Sequence, residues 1–577
     1  MGRMVQTCAF TALAAALFTL ACSGATPTPV AVPTATMAVV ATIPTARTPA
    51  LTLAPRATPI PTSVVARAPK GMYGGALTVA GSAGFPHRDV HQSVQESLTS
   101  LGPGISYSRL LRLKSAPDLA QPNLILECDL CESWTLTDDL VYEFQLRPNV
   151  LWQDLPPVNG RPLTTQDLVF SYRRLGTPGW PNAPLLTPFG DVEAMGPGSL
   201  RLDLGLPDAD ALLSLADGHA KVVAAEVVER FDDLKDSPVI GTGPWKWDET
   251  GEAGEITLKR NNGYFEPGLP FLDEFVVKVV RDPQGAEFPG EGRLAAFLAG
   301  RVDVADLPPR AWELLEDSGV EFGSAVSPRG GSGAVLSFNL QDPVFANANL
   351  RKAVFQAIDP WNYVDTIWSG QGFPSVGMPV SEADWLLGKD KARGEYFADP
   401  SMARRLLEKA DAGSGEIQLA VWSEPGGQIY TDLGDRIAGD LEAVGFNVSV
   451  RRLNPDQYRS TVMGPERDYQ VALGVMPPAT TTNGFLLALL HSGGRWNLAN
   501  HADVALDAMI EAQAVDFNRE SRRKRLVELQ RYLLDQAYMF SPVTEGTRWA
   551  FRPDLKGFHP NASLSEYIHW SRVWLDL

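Results

Sequence analysis

A strand–helix–strand pattern between residues 417 and 450 places the strongest constraint on the fold. The apolar run Ile417–Val421 predicts a short buried strand. Apolar residues then recur every four positions through Ile429–Leu441, as on the buried face of a helix, and Gly445 ends that helix. Apolar residues alternate again over 446–450. Two strands joined by one helix predict a βαβ crossover in a parallel sheet.

Other patterns extend this α/β region and add strands to the first half of the chain. Asp468–Leu473 predicts a third strand, and Asp399-Pro400 carries the N-cap and first-turn signals of a helix. Helical patterns run over about Asp503–Asp516 and Glu520–Ala537. The predicted strands of the first half are Val141–Leu146, Ser199–Leu204, Glu255–Lys259 and Glu274–Val280. We therefore expect a mixed N-terminal lobe and a doubly wound C-terminal lobe, with the ligand site in the cleft between them.

Length and charge limit the class of protein. Residues 71–577 exceed what one hydrophobic core usually organises, which predicts at least two lobes. The formal net charge of −18 argues against nucleic acid or an acidic membrane surface as a partner. We expect a monomer that binds a small solute.

The N-terminal segment predicts export. As a helix, Ala9–Ala21 would span about 20 Å, too short for a bilayer core of roughly 30 Å, so residues 1–21 are interpreted as a signal peptide. Thr19–Cys22 resembles a bacterial lipobox, which predicts a lipid on Cys22. Residues 22–70 hold nine prolines and no acidic residue, as expected of an extended tether. The alternative is a linker without function that is removed. We expect a lipid-anchored protein on the extracytoplasmic face of the cell membrane.

The cysteines of the mature region give a second sign of an exported protein. Cys128 and Cys131 form a C-x-x-C pair, which can close a short disulfide outside the cytoplasm. A zinc site would need two more ligands at suitable spacing, and none is near. A disulfide or two buried thiols are therefore favoured over a metal site. His87 and His91 could share a metal if they lay on one helix, but we predict no metal.

From Tyr73 almost to the C-terminus the chain resembles one family, the extracytoplasmic solute-binding proteins of peptide and nickel ABC importers, family 5. The resemblance depends on the order of many short stretches rather than on any single one. These stretches are Asp129–Trp134, Tyr142–Trp152, Asp167–Tyr172, Gly241–Pro244, Arg260–Phe265, Gly300–Asp303, Phe338-Asn339, Leu350–Ala353 and Ala357–Asp359.

The resemblance implies a two-lobed Venus flytrap with an extra subdomain in the N-terminal lobe. Lobe I would comprise residues 71–115, 237–330 and 542–577, the extra subdomain 116–236, and lobe II 331–541. It further implies a substrate-binding lipoprotein that captures a peptide-like or other small solute and delivers it to ABC permease subunits. Such a protein is not an enzyme and needs no cofactor.

Two of the expected ligand contacts come from pattern alone. In open α/β sheets, ligands bind beyond the carboxyl ends of strands, and Trp422 and Met476 follow two such ends. Trp422 has an alternative role as a core residue, because aromatic side chains bury large areas anywhere. The resemblance implies further cleft residues, namely Asp306, Asn339, Trp496 and Asn497, and His91 and Tyr107 are two additional candidates. Asn339 would lie at the lobe crossing or only bridge backbone there, Asp306 could be a solvated loop charge, and Trp496 could be core.

One departure from the family weakens the peptide hypothesis. Peptide-binding members often carry an aspartate that pairs with the α-ammonium group of the peptide. An unpaired charge in a closed cleft would cost several kcal/mol. The corresponding segment here, Gly474–Thr480, contains no acidic residue and no tryptophan.

Two other classes stay open. A sensor subunit that reports a ligand to a membrane kinase would use the same fold. An exported hydrolase is less favoured, because the chain lacks G-x-S-x-G, H-E-x-x-H, a P-loop and G-x-G-x-x-G. Turnover of a ligand would favour the enzyme, and a neighbouring kinase gene would favour the sensor.

Overall fold

The computed structural model describes residues 71–577 apart from 82–83, 138–139, 249–254, 411–415, 425–427, 466 and 564. The predicted signal peptide, the predicted lipidation at Cys22 and the predicted tether lie outside the described residues. Within the described ranges, no helix combines the length and the apolar character needed to cross a bilayer.

Strands dominate the first half of the chain, and helices dominate the second. The strands are β1 (Ala76–Gly81), β2 (Leu111–Leu113), β3 (Leu126–Cys128), β4 (Cys131–Leu136), β5 (Val141–Leu146), β6 (Phe189–Ala194), β7 (Ser199–Leu204), β8 (Trp245–Asp248), β9 (Glu255–Arg260), β10 (Glu274–Val279), β11 (Val304–Asp306), β12 (Gly323–Pro328), β13 (Ala334–Phe338), β14 (Gly372–Ser375), β15 (Glu416–Trp422), β16 (Asn447–Leu453), β17 (Val471–Val475), β18 (Met539–Phe551), β19 (Leu555–Lys556) and β20 (Trp574–Leu575). The helices are α1 (Glu96–Ser100), α2 (Thr165–Leu175), α3 (Ala211–Leu215), α4 (Ala225–Phe231), α5 (Glu291–Leu298), α6 (Pro309–Asp317), α7 (Ala348–Ala357), α8 (Pro360–Ile367), α9 (Lys389–Tyr396), α10 (Pro400–Ala410), α11 (Gln428–Glu442), α12 (Pro455–Tyr458), α13 (Thr482–Phe485), α14 (Val504–Ala514), α15 (Arg519–Gln536) and α16 (His569–Arg572).

The predicted βαβ unit is confirmed. β15 and β16 pair in parallel, with Ile417 opposite Val448, and α11 connects them. Leu433 and Leu441 lie on the buried face of α11, as the four-residue spacing predicts. The third predicted strand is β17, which begins at Val471 and pairs in parallel with β15.

The elements predicted in the rest of the chain are also present. β5 and β7 have the predicted bounds, and β9 and β10 differ by one residue at one end. Asp399 accepts a hydrogen bond from the Met402 N–H, 2.8 Å away, and so caps α10 as its Asp-Pro signal predicts. α14 and α15 occupy the two predicted helical stretches; α14 is slightly shorter than its pattern, and α15 begins and ends one residue earlier.

The long strand β18 belongs to both halves of the molecule. The largest sheet has the strand order β16-β15-β17-β13-β18-β11-β1-β10-β9-β8, and β12 and β14 also pair with β18. The first residues of β18 pair with β13 and β14, whereas its last residues pair with β11 and β12. One continuous strand therefore hydrogen-bonds to strands on both sides of the cleft.

The two halves that β18 joins have separate apolar cores. One cluster consists of buried residues between Ala334 and Val543, and we call its body the second lobe. Three other clusters form the first lobe. One of these three contains the β4-β5-β7-β6 sheet, which is the extra subdomain. The fold is thus a two-lobed α/β architecture, and the residue boundaries given above stay a prediction.

A buried ion pair ties the C-terminal segment to the first lobe. Arg109 and Glu566 lie 2.6 Å apart, and both side chains are fully buried. The Glu566 carboxylate also accepts hydrogen bonds from the backbone N–H groups of Leu113 and Tyr567. Burial acts to raise the pKa of Glu566, but Arg109 and these N–H donors outweigh it and lower that pKa to about 2.

We expect Glu566→Gln to lower the free energy of unfolding by about 3 kcal/mol at pH 7, because it removes the ion-pair partner of the buried Arg109 guanidinium. The ionised carboxylate stabilises the wild type above the unfolded pKa, and this contribution is lost as the pH falls towards about 2. The difference between variant and wild type should therefore shrink below about pH 4. Urea denaturation at a series of pH values measures both effects.

Asp435→Asn is the matched control for this prediction. Asp435 pairs with Arg452 at 2.6 Å, but both side chains are about half exposed. Removing such an exposed pair should change the free energy of unfolding by less than about 1 kcal/mol. Equal losses in the two variants would contradict the structural role given to the buried pair.

Candidate functional site

A cavity of about 340 Å³ lies between the two lobes. Its size falls in the range of about 300–1,000 Å³ that is usual for small-molecule sites. The first lobe lines it with residues that include Glu96, Leu124, Leu213, Asp217 and Ser565, and the second lobe with residues that include Pro379, Tyr430, Met476 and Ala479. The crossing segment Arg329–Gly333 and Glu545 on β18 form the wall where the lobes join.

Glycines allow the crossing segment to lie directly on the cavity wall. Gly331 has φ +76°, and a Cβ atom added there would overlap the carbonyl oxygen of Ala479. Gly333 has φ +98°, and its Cβ would overlap the carbonyl oxygen of Val543 on β18. Glycine is needed at both positions, since other residues are strained at positive φ and have no space here.

The lining of the cavity is acidic. Its charged side chains are the carboxylates of Glu96, Asp217 and Glu545 and the single guanidinium of Arg329, which gives the lining a formal charge of −2. Because the surroundings are partly desolvated, these charges act more strongly than they would in water. The cavity therefore favours a solute that carries positive charge.

Among the residues that the structure describes, no cationic side chain lies within ion-pair distance of the Glu545 carboxylate. This carboxylate accepts a hydrogen bond from the Tyr430 hydroxyl at 3.1 Å and one from the Trp368 indole N–H at 3.4 Å. Burial, and then the Glu545 carboxylate itself, raise the pKa of Tyr430 well above its usual value. The hydroxyl thus remains a donor at neutral pH, and Glu545 is held in place by neutral groups alone.

The other two carboxylates have partners within the protein. Glu96 lies 3.5 Å from Arg329, and burial raises the pKa of Glu96 although Arg329 acts in the opposite direction. Burial also acts to raise the pKa of Asp217, but hydrogen bonds from the ring and the backbone N–H of His219 lower it overall. Glu545 is consequently the carboxylate of this lining that can pair with a positively charged group of a ligand.

Two residues predicted from strand ends lie at the expected edge of the sheet. Met476 follows β17 and lines the cavity. Trp422 ends β15 at the same edge, but only 7% of it is exposed. Its ring packs edge-on against Tyr458 and lies below the guanidinium of Arg459. The structure thus gives Trp422 the alternative role, that of a core residue.

The predicted position of Asn339 at a lobe crossing is wrong. Asn339 follows β13, and its backbone N–H donates to Gln470, which precedes β17. Met476 lies beyond the other end of β17, and a strand of five residues spans about 17 Å. Asn339 instead lines a separate polar cavity of about 500 Å³ at that far edge.

Trp496 and Asn497 also lie at the far edge rather than at the cleft. The Trp496 carbonyl accepts from Arg467, and the Arg467 carbonyl accepts from the side chain of Asn339. The Asn497 side chain donates to the carbonyls of Ser492 and His501 and so holds its own loop together. Both residues resemble the family in sequence, but tertiary packing places them away from the cavity between the lobes.

His91 is fully buried and does not line the cavity, which contradicts its expected place in the cleft. Because Arg174 can only donate, His91 Nδ1 accepts from Arg174 at 3.0 Å and Nε2–H donates to the Lys221 carbonyl at 2.9 Å. Burial and Arg174 lower the pKa of His91 to about 4. The neutral ring therefore belongs to a structural network with the Asp89–Arg174 ion pair.

Tyr107 and Asp306 are likewise absent from the cavity wall. Tyr107 is buried in the first-lobe core, where its carbonyl accepts from the Tyr567 hydroxyl at 2.9 Å. Asp306 ends β11 and pairs with Arg293 at 2.9 Å. Their predicted contacts with the ligand find no support in these positions.

The C-x-x-C pair forms a disulfide. The Cys128 and Cys131 sulfurs are bonded at 2.02 Å, between β3 and β4 of the first lobe. His87 and His91 lie in a loop rather than on one helix. Over the described ranges, no group of three or more His, Cys, Asp or Glu side chains is arranged to hold a metal ion.

The acidic residues of the cavity were not predicted from the sequence. Glu96, Asp217 and Glu545 are far apart in the chain, and each lies in a stretch without a motif. The glycine-rich Arg329–Gly333 segment between two β-forming runs is the signal that could have indicated the crossing.

The family assignment follows from residues 126–497. These match the family described as "Bacterial extracellular solute-binding proteins, family 5 Middle". The chain belongs to this family. Its role is therefore the binding of a solute outside the cytoplasm.

Named relatives differ in what they bind. The chain is 24% identical over 516 residues to the probable di/tripeptide-binding protein 5 of Pseudomonas aeruginosa, covering 84% of this chain and 92% of the relative. It is 25% identical over 492 residues to the heme-binding protein A of Haemophilus influenzae, covering 78% and 84%. The ABC transporter substrate-binding protein CtaP of Listeria monocytogenes has the same fold, with a TM-score of 0.72, 18% identity and coverage of 88% and 100%.

We expect Gly331→Ala to lower the free energy of unfolding by about 3 kcal/mol, since it adds both backbone strain and an overlap with Ala479. Gly179 is the matched control, because it has φ +85° and nothing within 4 Å of an added Cβ. Gly179→Ala should cost only the strain of about 1 kcal/mol. Chemical denaturation of both variants measures the difference, and equal losses would contradict the close packing of the crossing segment.

Proposed function

We propose that this chain is the substrate-binding subunit of an ABC importer and that its solute carries a positively charged group. The acidic cavity between the lobes is the observation that supports this proposal. The solute would bind there and be buried by both lobes, and the closed form would deliver it to the permease subunits. We further propose that a lipid on Cys22 and the tether up to residue 70 hold the protein at the outer face of the membrane.

Glu545 is the proposed anchor for the positive group. A buried cation needs a counter-charge, and Glu545 offers a carboxylate whose protein partners are neutral donors. The segment Pro478–Thr480, which corresponds to the acidic anchor of many peptide-binding relatives, lines the cavity but supplies no charge. The carboxylate on β18 would take over that role, so a peptide-like solute with a free amino group is compatible with this cavity.

Binding rather than catalysis is the proposed chemistry. The family consists of solute-binding proteins. The proposed importer function requires the solute to leave the cavity unchanged. Mass spectrometry of the small molecules released from the purified protein on denaturation identifies the solute, and incubation of that solute with the protein should leave its mass unchanged. Release of a converted product would overturn the proposal in favour of an exported hydrolase.

We expect Glu545→Gln to weaken the binding of an amine-bearing solute by about tenfold or more, because a hydrogen bond to a charged group is worth about 1.5–3 kcal/mol. The amide keeps the size of the side chain and can still accept from Tyr430. Isothermal titration calorimetry with the solute identified above measures the change.

Two comparisons isolate the charge at position 545. Asp435→Asn removes one exposed carboxylate of the second lobe that does not line the cavity, and it should leave the affinity unchanged. N-acetylation of the solute should weaken binding to the wild type and have little effect in Glu545→Gln. Equal affinity of wild type and Glu545→Gln for the amine would exclude Glu545 as the anchor.

A further inference from the structure

A buried polar cluster joins the two lobes beside the cavity. Asp210 precedes α3 of the first lobe, and Arg522 lies on α15 of the second lobe. Arg522 Nη1 donates to Asp210 Oδ1 at 2.6 Å, and only 4% and 2% of the two side chains are exposed. The ion pair therefore crosses the interface between the lobes rather than stabilising either lobe from within.

The polar groups around this ion pair are mutually satisfied. The Asn483 N–H donates to Asp210 Oδ2 at 2.7 Å, and the Asn483 side-chain oxygen accepts from Arg522 at 3.0 Å. Gln513 accepts from Arg522 Nε and donates to Asn483. The backbone N–H of Ala209 donates across the interface to the carbonyl of Ala514 at 2.9 Å. Buried ion pairs are favourable only when hydrogen bonds complete them in this way.

The cluster is continuous with the wall of the cavity but does not belong to it. Asp210 is followed three residues later by Leu213, which lines the cavity, and Asn483 is preceded three residues earlier by Thr480, which also lines it. Neither Asp210 nor Arg522 is among the lining residues. On another side of the cavity, the Leu124 N–H donates to the Ser381 carbonyl at 3.1 Å. Groups of the protein itself thus join the lobes at two places beside the cavity.

We propose that the Asp210–Arg522 cluster is a latch that holds the lobes closed in the absence of solute and so sets how tightly solute binds. This inference rests on the proposed function, since it concerns the regulation of the same cavity. Closing the lobes uses part of the free energy of solute binding, and this cost is smaller when the solute-free protein is already partly closed. The apparent dissociation constant is inversely proportional to the fraction of molecules with closed lobes. Breaking the latch should therefore weaken binding without removing any contact with the solute.

Hydrogen exchange of the solute-free full-length protein tests the latch directly. The amides of Ala209 and Asn483 are bonded across the interface, so their exchange reports opening of the lobes. We expect Arg522→Met to accelerate exchange at these amides by roughly tenfold, since it leaves Asp210 without its counter-charge only in the closed form. Amides of β13 in the second-lobe core serve as the internal reference and should not change. Absence of solute is checked by mass spectrometry of the denatured protein.

Asp210→Asn changes the first-lobe partner and should have the same effect. Arg452→Met, which removes an exposed ion pair inside the second lobe, should have none. Faster exchange in β13 would show that Arg522→Met also destabilises the second-lobe core. In that case the exchange rates of Asp210→Asn test the latch. Equal exchange at Ala209 and Asn483 in the wild type and Asp210→Asn would overturn the latch. The exchange measurement needs no solute, so a failure to bind any solute would overturn the proposed function alone.

Discussion

The backbone hydrogen bonding of β18 is the constraint on which the rest of the structure depends. This strand pairs with β13 and β14 in the second lobe and with β11 and β12 in the first. Since one strand serves both lobes, its backbone joins them directly at this crossing. The glycine-rich Arg329–Gly333 segment is the second connection at the same place. The cavity forms where these two connections meet, and Glu545 lies on one of them.

The cavity and the latch use charge in different ways. In the cavity, Glu545 is held by neutral donors, so its charge stays available to a ligand. In the latch, Asp210 and Arg522 neutralise each other and are surrounded by amides that complete their hydrogen bonds. In our proposals, the first arrangement selects what binds, whereas the second affects the balance between open and closed lobes. Both depend on burial, because exposed pairs of the same kind contribute little.

The fold could be predicted from the sequence to a large extent because its signals are local. The spacing of Leu433 and Leu441 and the apolar run Ile417–Val421 identify the βαβ unit, and the structure contains it in parallel register. The site was predicted less well. Met476 lines the cavity because a strand end has a fixed relation to its sheet, whereas Asn339, which the resemblance placed at the lobe crossing, lies at the far edge because β13 runs antiparallel to β17.

The sequence by itself determined the class of protein, the α/β elements and the family, since these depend on composition, periodicity and the order of motifs along one chain. Only the tertiary structure decided which residues meet. Glu96, Asp217 and Glu545 come from distant parts of the chain, and Asp210 is more than 300 residues from Arg522. No periodicity or spacing encodes such a meeting, because it results from how two separately packed lobes are brought together at their crossing.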